Sequence, residues 1–179
     1  PPLRESIMEF KPEGFLLDTP ENAAALSGPA AIRSAMERGT ILEAKALVCD
    51  GNHNLLVDLG PMRGIIPREE CAVGIAEGAV RDIAIISRVN KPVCFVVTGL
   101  ETDAYGSPVA RLSRRIAQEQ CRSRYLNALR PGDILPARVT HLEQFGAFVD
   151  IGCGVVSLIP IDAISVSRIS HPRDRFSVG

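Results

Sequence analysis

Tryptophan is missing from this chain, and six Phe and two Tyr supply all its aromatic surface among 179 residues. An aromatic side chain outside a core pattern is therefore a specific signal. Excess charge is lacking too: 20 basic against 21 acidic residues leave a formal charge of -1. No global positive field attracts a nucleic acid, so any such partner must be held by a local patch. The five cysteines, Cys49, Cys71, Cys94, Cys121 and Cys153, are odd in number, widely spaced and never form Cys-x-x-Cys. With only three histidines as co-ligands, they predict neither a disulfide framework nor a metal site, and they fit a reducing cytoplasm. No apolar run reaches the ~18 residues of a membrane span. The opening Pro1-Pro2-Leu3-Arg4-Glu5 has neither a charged lead nor a hydrophobic signal core, and it lacks an initiator Met, which suggests a piece of a longer chain. Gly-x-x-x-x-Gly-Lys, His-Glu-x-x-His and Gly-x-Ser-x-Gly are all absent, so the sequence predicts no catalytic residue, no cofactor and no small-molecule substrate.

What is present is a repeat. Gly39-Thr40-Ile41-Leu42-Glu43-Ala44-Lys45 is answered by Gly132-Asp133-Ile134-Leu135-Pro136-Ala137-Arg138 at an offset of 93 residues. Val57-Asp58-Leu59-Gly60 answers Val149-Asp150-Ile151-Gly152 at 92, and Ile65-Ile66-Pro67 answers Leu158-Ile159-Pro160 at 93. Ser87-Arg88-Val89-Asn90-Lys91-Pro92 then pairs with Ser167-Arg168-Ile169-Ser170-His171-Pro172 at 80, so the first copy carries 13 extra residues after Pro67.

Within each copy the pattern is β. Leu135, Ala137 and Val139 alternate with Pro136, Arg138 and Thr140; Val149 and Ile151 alternate with Phe148 and Asp150; Val155 to Ile159 follows a Gly152-Cys153-Gly154 turn. The first copy adds strands at Val93 to Leu100 and Val109 to Ser113, joined by a hairpin loop. Five short strands in so small a stretch predict the five-stranded barrel called the OB-fold. Asp18-Thr19-Pro20-Glu21 and Ser27-Gly28-Pro29 each open a helix, the second placing Ile32, Ala35 and Met36 on one face. Arg114 to Leu129 reads as a helix, and Arg111 to Arg130 holds six arginines against one acid, Glu119. The predicted organisation is mainly β: a helical leader at 1–38, a divergent first domain at 39–113, a basic linking helix at 114–131, and a truncated second domain at 132–179 lacking its last two strands.

Phe145-Gly146-Ala147-Phe148-Val149-Asp150-Ile151-Gly152, preceded by Gly132 to Val139 and followed by Val156 to Asp162, resembles the ribosomal protein S1 family of RNA-binding domains. The resemblance continues to Arg173-Asp174-Arg175-Phe176-Ser177-Val178-Gly179, and in the first copy Arg111-Leu112-Ser113-Arg114 is similar to the family's closing strand. It implies two tandem S1-type OB-fold domains that bind single-stranded RNA, such as mRNA, without catalysis, in bacterial translation with the small ribosomal subunit. Family domains are also appended to exoribonucleases and metabolic enzymes, which leaves an enzyme appendage as one alternative; a protein-docking role for the divergent first copy is another.

In this family aromatic and basic side chains on the second and third strands hold the RNA, a base stacked on an aromatic ring contributing ~1 to 3 kcal/mol without choosing sequence. Phe145 and Phe148 match the aromatic positions. Residues three apart point to opposite sides of a flat strand, so a bend or bulge at Gly146 is expected if both are to face RNA. Arg138 and Lys45 occupy equivalent first-strand positions and are candidate phosphate contacts, and His141, near the strand end beside Phe145, is a candidate to stack. In the first copy the aromatic positions become His53 and Leu56, and Pro160 and Pro67 stand where many members have a third-strand His. Arg114, Arg115, Arg122 and Arg124 on the linking helix complete the candidate RNA contacts.

Overall fold

The computed structural model describes residues 10–164 and 178. The Ser167 to Pro172 repeat and the family match over 173–177 lie outside the described residues. Contacts divide the chain into two units, Glu13–Gln120 and, apart from it, Cys121 onward together with the segment ending at Pro12.

In the first unit Pro20–Ala25 (α1) and Pro29–Arg38 (α2) precede five strands: Leu42–Cys49 (β1), Leu55–Asp58 (β2), Arg63–Ile66 (β3), Pro92–Thr102 (β4) and Pro108–Ser113 (β5). They close into a barrel in the order β1-β2-β3-β5-β4, an OB-fold-like arrangement in which only β3 and β5 run parallel. Thr19 caps α1, its hydroxyl accepting from the Asn22 amide at 3.2 Å. Ile32 and Ala35 of α2 join a core of Leu42, Ala44, Ala46, Leu55, Val57, Ile66, Val93, Phe95 and Leu112. The insertion after Pro67 forms a single 3-10 turn at Arg68–Glu70 and a short helix at Ile83–Ile86 (α3).

Beneath this shell lies a buried ionic cluster that the sequence did not signal. The Arg114 guanidinium donates to both carboxylate oxygens of Glu13 at 2.8 Å and to the Cys71 carbonyl at 3.0 Å, and Arg88 reaches Glu13 at 3.1 Å. Burial alone would raise the Glu13 pKa, but Arg114 and then Arg88 hold it down at about 2. Neighbouring Glu43 has the opposite fate: burial, and then the Glu13 charge, push it up to about 7. One Glu43 oxygen accepts from the Gly14 amide at 2.9 Å, and the other is buried with no hydrogen-bond partner.

Arg114–Arg124 (α4) follows β5 and is capped by Ser113, whose hydroxyl accepts from Ile116 at 3.0 Å. In the second unit, Arg138–Glu143 (β6), Gly146–Asp150 (β7) and Val156–Pro160 (β8) make an antiparallel sheet ordered β6-β7-β8, followed by Ile161–Ile164 (α5). Tyr125 stacks on Phe10 with centroids 6.0 Å apart, and both are fully buried. Gly152 has to be glycine, because a Cβ there would come within 2.6 Å of Cys121 Sγ. The Gly152-Cys153-Gly154 turn is tied by Asp150, whose carboxylate accepts from the Gly152 amide at 2.8 Å and the Gly154 amide at 3.1 Å.

One strand expectation is corrected. The strand predicted from Leu135 starts at Arg138, and Ala137 is exposed instead of inward. In the barrel the corresponding Leu42 to Lys45 is strand because β4 pairs with it. Among the described residues no strand occupies that place beside β6, and Pro136 has no N–H to lend to a ladder.

Candidate nucleic-acid face

The register of the second sheet decides which side chains share a face. Arg138 is paired with Asp150, His141 with Phe148 and Glu143 with Gly146; on the other side of β7, Phe148 is paired with Leu158 and Asp150 with Val156. Paired residues project together, so Arg138, His141, Glu143, Phe148 and Leu158 lie on one side, while Ala147 and Val149 point into the core. Arg138 and His141 are three apart and would normally point oppositely. A register shift between Val139 and His141 leaves Thr140 as the extra residue and restores their common direction. The bulge that gives Arg138 and His141 a common side is thus on β6.

Phe145 reaches the same neighbourhood by a different route. It lies in the turn between Glu143 and Gly146 and is 55% exposed. Its ring meets Phe148 edge-on with centroids 6.1 Å apart, and the His141 ring lies 6.1 Å from Phe148 in a tilted arrangement. Gly146 is required for packing: a Cβ there would stand 2.4 Å from the Ile159 carbonyl and 2.9 Å from Leu158. Three rings thus gather on a surface also bearing Arg138 and the exposed apolar side chains of Val156 and Leu158. Val156, Leu158 and Glu143 escaped the sequence reading, although pairing the third strand with the second would have placed Leu158 beside Phe148.

The first barrel repeats this frame. Lys45 is paired with Asp58, Val48 with Leu56, and the same register shift falls between Ala46 and Val48; Leu56 is paired with Ile65 and Asp58 with Arg63. Lys45 is exposed, as Arg138's counterpart should be, but the row that carries His141, Phe148 and Leu158 in the second sheet is Val48, Leu56 and Ile65 here. A cleft of about 260 Å³ opens beside it, lined by Leu56, Ile65, Arg63 and Arg111. Both arginines are already engaged, Arg63 with Asp103 at 2.8 Å and Arg111 with Glu101 at 3.5 Å.

Several candidate contacts are engaged with other side chains of the chain. His53 sits in the β1–β2 turn with its Nδ1 on Asp82, which Arg68 grips at 2.8 Å; Arg68 first, then His53, lowers the Asp82 pKa. The His53 Nδ1 is thus tied to the insertion. Arg114 is 6% exposed and committed to Glu13, so it cannot meet a phosphate. Arg115 is fastened to Glu70 and, at 2.9 Å, to Glu119, and its hydrogen bond to Glu70 lowers that carboxyl's pKa. Arg122 and Arg124 are exposed, with Arg124 lying 5.6 Å over the Phe10 ring.

Comparison with known proteins adds to this geometry. Residues 128–179 match the S1 RNA binding domain family. The small ribosomal subunit protein bS1 of Staphylococcus aureus is 28% identical over 152 residues, covering 83% of this chain and 36% of that protein. The bS1 proteins of Staphylococcus haemolyticus (29% over 150 residues, 83% of this chain, 36% of that protein) and Mycolicibacterium smegmatis (33% over 146 residues, 79% and 27%) are similar. The chain therefore spans only about a third of the length of these relatives or less. Over residues 128–179 the chain is thus similar to the S1 RNA binding domain family, and over most of its length to bS1 proteins.

Proposed function

We propose that the chain binds single-stranded RNA on the outer face of β6, β7 and β8, without catalysis, and serves translation in the cytoplasm by holding mRNA at the small ribosomal subunit. The observation that carries this is the grouping of Phe145, Phe148 and His141 on one exposed face beside Arg138. In a chain with so few aromatic residues, two phenylalanines left outside the core are costly unless something covers them, and a base offers a π-face to each ring. We also read the first barrel as a second S1-type module in tandem, because its β1-β2-β3 register, bulge included, repeats that of β6-β7-β8. The test is a fluorescence titration of a single-stranded RNA and its duplex, at rising salt, with the wild-type chain and Phe148→Ala. Single-stranded RNA should bind more tightly, and the variant should bind it more weakly; equal affinity for both forms, or an unaffected variant, would sink the stacking mechanism.

A second role has its own support. The face of the first barrel is aliphatic, with Leu47 and Val48 45% and 49% exposed, which suits protein docking better than base stacking. Ribosome binding that survives deletion of residues 39–113 would exclude it.

A further inference from the structure

The outer side of β1 should meet water, yet at Glu43 it does not. Glu43 is paired with Cys94 of β4, so the two side chains project together, away from the inward Leu42, Ala44, Val93 and Phe95. Both are 1% exposed. The cover over Glu43 is the segment before α1: the Gly14 amide donates to its carboxyl at 2.9 Å, and the Leu16 and Leu17 amides also point to it. This segment is anchored at both ends. At one end Glu13 takes Arg114, Arg88 and the Cys94 amide. At the other, the Asn22 side chain donates to the Glu43 carbonyl and accepts from the Glu43 amide, both at 2.8 Å, standing in for a neighbouring strand. Between the anchors little apolar surface is buried, since Phe15 is 47% exposed and Leu16 and Leu17 are half-buried. A segment held in this way opens at lower cost than the barrel beneath it.

We infer that residues 14–18 form a strap locked by a proton: it lies closed over β1 while Glu43 is neutral and opens more often once Glu43 ionises. The groups around Glu43 set the direction. Glu13 brings a negative charge at the strap's own end, and the Arg114 and Arg88 guanidinium groups are bonded to Glu13. The Cys94 thiol lies beside Glu43 on β4, and Lys45, two residues along β1, is exposed to water. None of these cations is bonded to Glu43, whose Oε1 is buried without any hydrogen-bond partner. An ionised carboxyl left so costs more than a neutral one. The strap's amides favour the ionised form, but burial outweighs them and holds the closed state's carboxyl at about 7. Once open to water it ionises near ~4.3. Closure is therefore fully supported below ~4.3, loses support as pH rises to about 7, and changes little above that.

The test is amide hydrogen exchange, followed residue by residue by NMR on the whole chain and corrected for the intrinsic effect of pH on exchange. In the wild type, Gly14, Leu16 and Leu17 should be less protected than Val93 and Phe95, which lie in the β1–β4 ladder. Protection of the three strap amides should also fall about 10-fold between pH 6 and pH 8, most of it below pH 7. In Glu43→Gln it should not vary with pH, because the substituted side chain can still accept from Gly14 and never ionises. Strap amides as well protected as Val93 and Phe95 would mean that the segment opens only with the barrel, and protection independent of pH in the wild type would mean that no proton locks it. Either result overturns the inference whether or not the variant folds. A pH dependence that persists in folded Glu43→Gln would overturn it as well, by assigning the proton to another group.

Discussion

Leu56 in the first barrel and Phe148 in the second sheet occupy the same point of the same register, each opposite the residue that follows a first-strand bulge and each flanked by an aliphatic third-strand partner. Around Leu56 the polar groups turn inward or onto one another: His53 to Asp82, Arg63 to Asp103, Asp50 into its own turn. Around Phe148, Asp150 is likewise held in its own turn and His141 is bonded to Glu143, but that pair stays on the face itself and rings replace aliphatic chains. One backbone frame therefore supports two surfaces, and the difference lies in whether its turns and insertions engage the side chains that would otherwise meet a ligand. The stretch between Pro67 and Ser87, 13 residues longer than its counterpart in the second copy, supplies Asp82, Arg68 and Glu70, and those three engage His53 and Arg115.

The largest test of this contrast divides the linking helix in two. Arg114→Ala removes the two-pronged partner of the buried Glu13 carboxylate, leaving Arg88 and the Cys94 amide on it, and should cost about 3 to 5 kcal/mol in urea denaturation. Arg122→Ala should change stability by less than ~0.5 kcal/mol. Equal effects would mean that the helix arginines are not split between structure and surface.

The barrel should also carry a pH signature that a surface site lacks. A Glu ionises near ~4.3 in an unfolded chain. Glu43 is raised to about 7, so it contributes stability below ~4.3 that is lost as pH climbs to about 7, by roughly 3 kcal/mol. Glu13 is depressed to about 2, so its contribution is present above ~4.3 and lost as pH falls toward 2. Glu43→Gln should flatten the upper limb of the stability curve and leave the lower one. A variant whose stability still falls between pH 4.3 and 7 would assign that limb to another group.

How far the sequence led is visible in the offsets. The slip from 93 to 92 between the first and second strands is one residue gained by the first copy's turn, Gly51-Asn52-His53 against Gln144-Phe145, and the return to 93 is one residue gained by the second copy's next loop. The outward side of Lys45 and Phe148 followed from alternation. The bulges did not, because the extra residue is Leu47 in one copy and Thr140 in the other, with no Gly to mark it. Nor did the burial of Arg114: its partner Glu13 is 101 residues away, and a run of arginines looks the same whether one of them is buried or none is. Pro136 was the available sign that the strand from Leu135 would start late.

Smaller in energy, but closer to the comparison itself, is Phe148→Leu, which gives the second face the first face's residue. Losing the ring while keeping an apolar side chain should weaken single-stranded RNA binding by about 1 to 3 kcal/mol, read as the shift in a fluorescence titration. If Leu binds as well as Phe, the rings are packing elements and the two faces are equivalent.

The smallest effect concerns charge. Each phosphate neutralised on a single strand contributes about 0.7 to the slope of log affinity against log salt. Arg138→Gln should reduce that slope by about this amount, and Lys45→Gln, at the matching position of the first barrel, should leave it unchanged. Both residues stand at the base of equivalent strands, opposite Asp150 and Asp58, so local charge does not separate them; only the presence of an RNA chain across the second face does. A slope lowered equally by both substitutions would mean that the first barrel also holds RNA, by its phosphates and with no ring beneath the bases.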